Sequence, residues 1–171
     1  MSFQDSDEIE LSTKFYGNGQ KKSEERYKGG VRHGLCLYWY ANGQKRSEEN
    51  YVNGLLDGIR TTWYENGQKM YDHEFIIIEK KLSSVRTSLV SLQHGTWISW
   101  YDNGNKSGEE HWDKGYQDGP EISWFRNGVK EREEFYKKFK RHGIFKEWDK
   151  NGVLLWVRHW QDGELISTQE F

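Results

Sequence analysis

The dipeptide Asn-Gly recurs six times, at Asn18-Gly19, Asn42-Gly43, Asn66-Gly67, Asn103-Gly104, Asn127-Gly128 and Asn151-Gly152, with steps of 24, 24, 37, 24 and 24 residues. Self-similarity at a fixed period marks a repeat architecture and restricts the fold before anything else does. Asn and Gly accept positive φ at the least steric cost, so each Asn-Gly between alternating aromatic and polar stretches predicts the tip of a β-hairpin. A second punctuation keeps the same rhythm, in His33-Gly34, Asp57-Gly58, His94-Gly95, Asp118-Gly119 and His142-Gly143. Two turns per period leave about 12 residues for each strand with its turn, the spacing of an antiparallel meander. The expected fold is therefore all-β: an elongated antiparallel meander of about 12 strands in one sheet, built from hairpin repeats. An acidic segment over residues 1–12, with Asp5, Asp7, Glu8 and Glu10, precedes a single repeat domain over residues 13–171.

Large rings keep the register. One column runs Phe15, Trp39, Trp63, Trp100, Trp124, Trp148, and a second runs Tyr27, Tyr51, Phe75, Trp112, Tyr136, Trp160. Hydrophobic residues make up only 34% of the chain but aromatic residues 16%, so a few rings must carry most of the burial. Their faces depend on the turn. If Ala41-Asn42-Gly43 is a three-residue loop, Tyr40 pairs with Gln44, and Trp39, Ser47, Glu49 and Tyr51 share a face, which gathers both columns into one spine. If Asn42-Gly43 is a two-residue loop, Tyr40 pairs with Lys45 and the columns fall on opposite faces, because a one-residue slip flips every side chain. The single spine is the favoured arrangement.

Units such as Trp39-Tyr40-Ala41-Asn42-Gly43-Gln44-Lys45-Arg46-Ser47-Glu48-Glu49 and Trp63-Tyr64-Glu65-Asn66-Gly67-Gln68-Lys69 resemble the bacterial MORN-repeat variant. The resemblance covers about residues 13 to 163. It implies a protein-binding role, with antitoxins and immunity proteins among the members, and neutralisation of a toxic partner by direct contact. The family motif has no catalytic residues to carry over. A scaffold or self-assembly module, in which exposed strand edges or the aromatic face dock a non-toxic partner or a second copy, is the alternative from another class.

One segment departs from the period. Thirteen additional residues lie between Phe75 and His94, around residues 76–93, and aliphatic residues replace the rings there. The expectation is a longer hairpin, Ile76 to Lys80 with Val85 to Leu92, packing its own Ile and Leu. Insertions in repeat proteins also build binding surfaces, which makes Ile77, Lys80, Lys81, Arg86 and Leu89 candidate partner contacts.

The acidic column Glu24, Glu48, Asp72, Glu109, Glu133 is the other candidate surface. Carboxylates two strands apart lie roughly 10 Å from each other, about a Debye length at physiological salt. Such a row suits a basic protein partner, for instance a nuclease toxin, and speeds encounter. The bland alternative is a solvated polar column partly paired with Lys21, Lys45, Lys69, Lys106 and Lys130.

Other classes fit poorly. His33, His94 and His142 occupy turn positions that Asp57 and Asp118 fill elsewhere, and His73, His111 and His159 lack companions at metal-ligand spacing. Cys36 is the only cysteine, expected to be a half-buried strand residue in a reducing compartment. No nucleophile has a matching base, so neither catalysis nor a cofactor is expected. A net charge of -2 gives no footprint for direct nucleic-acid binding. The chain has no membrane-spanning apolar run and starts with acidic residues, so a soluble protein of the bacterial cytoplasm is expected.

Overall fold

The computed structural model describes residues 8–83 and 86–171. Asp5 and Asp7, like Val85 of the expected long hairpin, lie outside the described residues. Seventeen strands and no helix are found among those described. The chain divides into two units: residues up to Gln68 with Glu74–Leu92, and Lys69–His73 with Gln93–Phe171.

In the first unit β1 (Ile9–Phe15), β2 (Lys21–Lys28), β3 (Val31–Arg32), β4 (Gly34–Trp39), β5 (Lys45–Val52), β6 (Leu55–Leu56) and β7 (Gly58–Trp63) pair in sequence order. A 13-residue strand, β8 (Lys69–Lys81), begins in the second unit and continues into the first, where β9 (Thr87–Gln93) follows it. The second unit continues with β10 (Gly95–Trp100), β11 (Lys106–Asp113), β12 (Tyr116–Trp124), β13 (Lys130–Lys137), β14 (Lys140–Arg141), β15 (Gly143–Trp148), β16 (Leu154–Gln161) and β17 (Glu164–Glu170). All these pairings are antiparallel, as a meander requires. The twelve expected strands are present. The surplus consists of β9, β17, and the three short strands β3, β6 and β14, which are cut from their successors at His33, Asp57 and His142, each followed by a glycine at positive φ. β1 starts at Ile9, so the sheet takes in the end of the segment read as an acidic leader.

Each Asn-Gly is a three-residue loop. At the second, the Gly43 N–H donates to the Tyr40 carbonyl at 3.0 Å and the Tyr40 N–H to the Gln44 carbonyl at 2.8 Å. Gly43 sits at φ 88, the left-handed position that closes a type I turn with a bulge. The favoured turn is therefore the one that forms, but the single aromatic spine does not follow from it. One residue further on the register shifts again: Trp39 faces Lys45 while Tyr38 faces Ser47, leaving Arg46 unpaired. The same shift occurs at Phe15, Trp100, Trp124 and Trp148. It reverses the parity and corrects the expectation. Tyr51, Glu49, Ser47, Tyr38 and Cys36 share one face, here the tyrosine face, and Trp39, Leu37, Lys45 and Glu48 share the other, the tryptophan face.

Little is buried deeply. Among the described residues the buried apolar side chains are Cys36 and Phe145, beside the polar Ser23, Glu25, Ser47, Glu49 and Glu134. The rings that were expected to carry the burial are mostly half-buried, because a hairpin sheet with no second layer packed on it can cover its side chains only from the flanks. All the residues buried below the surface lie on the tyrosine face.

Candidate functional site

The register shift builds the tryptophan face. On an uninterrupted strand, residues three apart point to opposite sides. The extra residue Arg46 turns Lys45 onto the side of Glu48, and the two meet at 2.8 Å. The Lys45 ammonium also lies 5.0 Å from the centre of the Trp63 ring, one hairpin further along. The unit recurs as Glu24–Lys21–Trp39, Asp72–Lys69–Trp100, Glu109–Lys106–Trp124 and Glu133–Lys130–Trp148, with ion pairs of 2.7–2.9 Å and cation–ring distances of 5.1–5.5 Å. Each lysine thus ties an acid in its own strand to a ring in the next. The bond from Lys21 outweighs burial and holds the Glu24 carboxyl below the ordinary carboxylate range. All five acidic candidates are neutralised in this way, so of the two expectations it is the polar column paired with these lysines that forms, and within each strand.

The tyrosine face differs between the units. In the first, Glu25 accepts from the Tyr38 hydroxyl at 2.7 Å and from Arg32 at 2.8 Å, with Lys14 at 3.5 Å. Burial raises its carboxyl, but the Tyr38 and Arg32 bonds and the charges of Arg32 and Lys14 prevail, and the net shift is downward. Glu49 accepts from Tyr51 at 2.7 Å and Arg60 at 2.9 Å. Burial and the Glu49 bond push the Tyr51 phenol up to about 12. Both of these carboxylates have an arginine. Cys36 lies among them, wholly buried rather than half-buried, and burial raises its thiol.

In the second unit the register sets Glu110 opposite Glu121, and Glu121 opposite Glu134. Their hydrogen bonds come from neutral groups: the Trp112 indole at 3.1 Å, the Gln117 amide and the Tyr136 hydroxyl at 2.9 Å. Burial, and then the charges of Glu110 and Glu134 against the Gln117 bond and Arg132, raises the Glu121 carboxyl. Beside this row Tyr71, His73, Trp97 and Trp112 form a ring stack, with centroid separations of 5.1, 3.9 and 5.1 Å, extended by Phe139 and Tyr116.

The insert runs from β8 into β9, with a turn between them. The Leu82 N–H donates to the Arg86 carbonyl at 2.9 Å near its tip, and the Ser91 hydroxyl donates to the Leu56 carbonyl at 2.6 Å at its base. Lys80, Lys81 and Arg86 are exposed, Ile77 is half-buried, and Leu82 and Leu89 stand 52% and 50% exposed. The insert candidates thus lie together on one element, while the acidic candidates are distributed along the array.

The histidines at turns find turn partners. His33 meets Asn53 at 3.3 Å, and His94 and His142 lie 3.5 Å from Asp113 and Asp162. Among the described residues no group of three or more His, Cys, Asp or Glu could hold a metal ion. Sequence reasoning missed two columns that hold hairpin to hairpin. The Tyr16, Tyr40 and Tyr101 hydroxyls donate at 2.8 Å to the carbonyls of Trp39, Trp63 and Trp124. The amides of Asn18, Asn42, Asn103 and Asn127 reach Ala41, Glu65, Arg126 and Lys150 carbonyls at 2.8–3.0 Å. A tyrosine two places before the turn Asn, and Asn specifically where Asp or Gly would also turn, were the available signals.

A succession of hairpins whose recurring polar groups are occupied in joining each repeat to the next is a repeat-based binding protein. It belongs to the MORN repeat variant family, whose repeat matches residues 32–53, 56–76, 93–114, 117–138 and 141–162. Members of this family are generally non-catalytic. No curated protein matches the chain.

Proposed function

We infer that the protein is a non-enzymatic binder of another protein, and that it acts as an immunity protein or antitoxin of the bacterial cytoplasm, covering a cognate toxin by direct contact. The observation that supports this most is the insert. The regular repeats use their column lysines, acids, tyrosines and asparagines on one another, whereas β8, β9 and the segment between them present Lys80, Lys81, Leu82, Arg86 and Leu89 to solvent. Exposed leucines among cations suit a partner with an apolar patch rimmed by acids. The neutralised acidic column gives a basic nuclease no special preference as the toxin.

The test is affinity capture of the partner from the native host, followed by co-expression. A stoichiometric partner that is lethal alone and harmless alongside this chain supports the reading. Replacing Glu79–Ser91 by a short glycine turn should leave a cooperatively folded protein that neither captures nor neutralises it. Undiminished neutralisation by that variant would move the contact to a face of the repeats, and a harmless partner would end the immunity reading.

A further inference from the structure

We propose that the outer edge of β1 pairs with the same edge of a second copy of this chain, antiparallel about Ser12, to give a two-fold dimer. The pairing is independent of any toxin and uses none of the insert.

β1 is fully laddered to β2 on one side, from Ile9 opposite Lys28 to Lys14 opposite Ser23. Six of its seven residues are nevertheless exposed, with Ile9 at 45%, Leu11 at 58% and Phe15 at 60%. An exposed strand edge with apolar residues is a template for another strand unless something blunts it. The usual device in this molecule is missing here. Gly34, Gly58, Gly95, Gly119 and Gly143 all have positive φ, and directly before Gly34, Gly58 and Gly143 the strand is broken. By the repeat register the equivalent residue of β1 is Glu10, and the strand runs through it without interruption. The tryptophan face is also incomplete at this end. Trp39, Trp63, Trp100, Trp124 and Trp148 each lie beneath a lysine of the preceding hairpin, whereas no lysine lies over Phe15 among the described residues.

The sequence Ile9-Glu10-Leu11-Ser12-Thr13-Lys14-Phe15 complements itself when reversed. An antiparallel pair centred on Ser12 sets Glu10 opposite Lys14 of the second copy and Lys14 opposite Glu10, both on the tyrosine face. On the tryptophan face it sets Ile9 opposite Phe15 and Leu11 opposite Thr13, each twice. Opposite charges directly across a ladder stabilise it, and like charges disfavour it. Glu10 forms no ion pair within its own chain among the described residues, and Lys14 is 62% exposed with only a 3.5 Å approach to Glu25. A slip by one residue would set Ile9 on the wrong face, so the charges and the apolar side chains specify one register. The contrast with β17 supports the choice of edge. β17 is exposed along its whole length, but reversal about Ser167 sets Glu164 opposite Glu170 and opposes the same association there. A contact that uses the same patch on both copies closes at two and leaves no growing end.

Sedimentation velocity across a concentration series tests the idea on the full chain. A monomer–dimer equilibrium is expected. Glu10→Lys alone and Lys14→Glu alone should each abolish the dimer, and the two together should restore it, since the reversed pair is again complementary. A protein that stays monomeric at all concentrations, single reversals that leave the dimer intact, a double reversal that fails to restore it, or growth beyond two copies would each overturn the proposal. Hydrogen exchange on the unaltered protein gives a check that needs no variant. Amide protection within Ile9–Phe15 should rise with concentration while that of β4 and β5 stays constant, and concentration-independent protection of β1 would count against the dimer.

Discussion

Glu25 and Glu121 are the same residue type on the tyrosine face of two units, yet their surroundings drive them in opposite directions. Glu25 has Tyr38 and Arg32 as donors and a lowered carboxyl, so its contribution to stability is present above the ordinary carboxylate value and is lost as pH falls through the folded one. Glu121 is raised by burial and by Glu110 and Glu134, so its contribution is present below the ordinary value and is lost as pH rises through the folded one. Glu25→Gln should therefore cost about 1–3 kcal/mol at neutral pH, the scale of a hydrogen bond to a charged group, and less in acid. Glu121→Gln should stabilise at neutral pH and lose that advantage in acid. Urea midpoints at the two pH values check both signs; a Glu121→Gln variant that is less stable at neutral pH would show that Arg132 and Arg141 compensate the row. The two are told apart in the sequence by repeat position: Glu25 occupies the place of Glu49, Glu110 and Glu134, whereas Glu121 takes the place that Cys36 holds in β4 and Arg60 in β7.

At the scale of the strand, the device that organises the molecule is the register shift after each turn. Lys45 and Trp63 illustrate its energetics. A cation over a partly exposed ring contributes about 0.5–1 kcal/mol, and an exposed ion pair such as Lys45–Glu48 about 0–1 kcal/mol. Lys45→Met should accordingly lower stability by about 1 kcal/mol. A double-mutant cycle with Trp63→Leu should show coupling of about half of that or more, and additive losses would mean the ring and the ammonium are merely adjacent. The turns were legible, since Asn42-Gly43 has a specific backbone requirement and the expected three-residue loop formed. The face of each column was not, because Lys45-Arg46-Ser47 contains no glycine or proline to announce a bulge. The readable clue was indirect: Lys and an acid three residues apart in five hairpins can meet only if the strand is interrupted between them. The insert was recognisable by its length and its aliphatic composition. The pairing of the acidic column with its lysines was legible as an alternative, but not that it would form within one strand, because without the bulge residues three apart point to opposite faces.

For the molecule as a whole, stability is distributed among neighbouring hairpins rather than concentrated in an interior. β4 and β7 are equivalent by one period of the repeat. Excising Tyr40–Trp63, so that Trp39 is joined to Tyr64, should thus leave a folded protein with a single thermal transition at lower temperature, followed by circular dichroism. Loss of cooperative melting would show that the first unit is not modular. The asparagine struts carry a different consequence, one of chemical ageing. Asn-Gly is the dipeptide most prone to cyclise and deamidate, and this chain has six of them in its turns. In the folded state the Asn42 side chain is held from both ends, its oxygen by the Gln44 N–H at 2.9 Å and its nitrogen by the Glu65 carbonyl at 2.9 Å. Cyclisation would require the Gly43 nitrogen to attack a carbon that this clamp keeps fixed, and conversion to aspartate would remove the only donor that reaches the next hairpin from that side chain. Order and covalent integrity therefore protect each other, and a local opening at one turn exposes that turn to a lesion that makes the opening permanent.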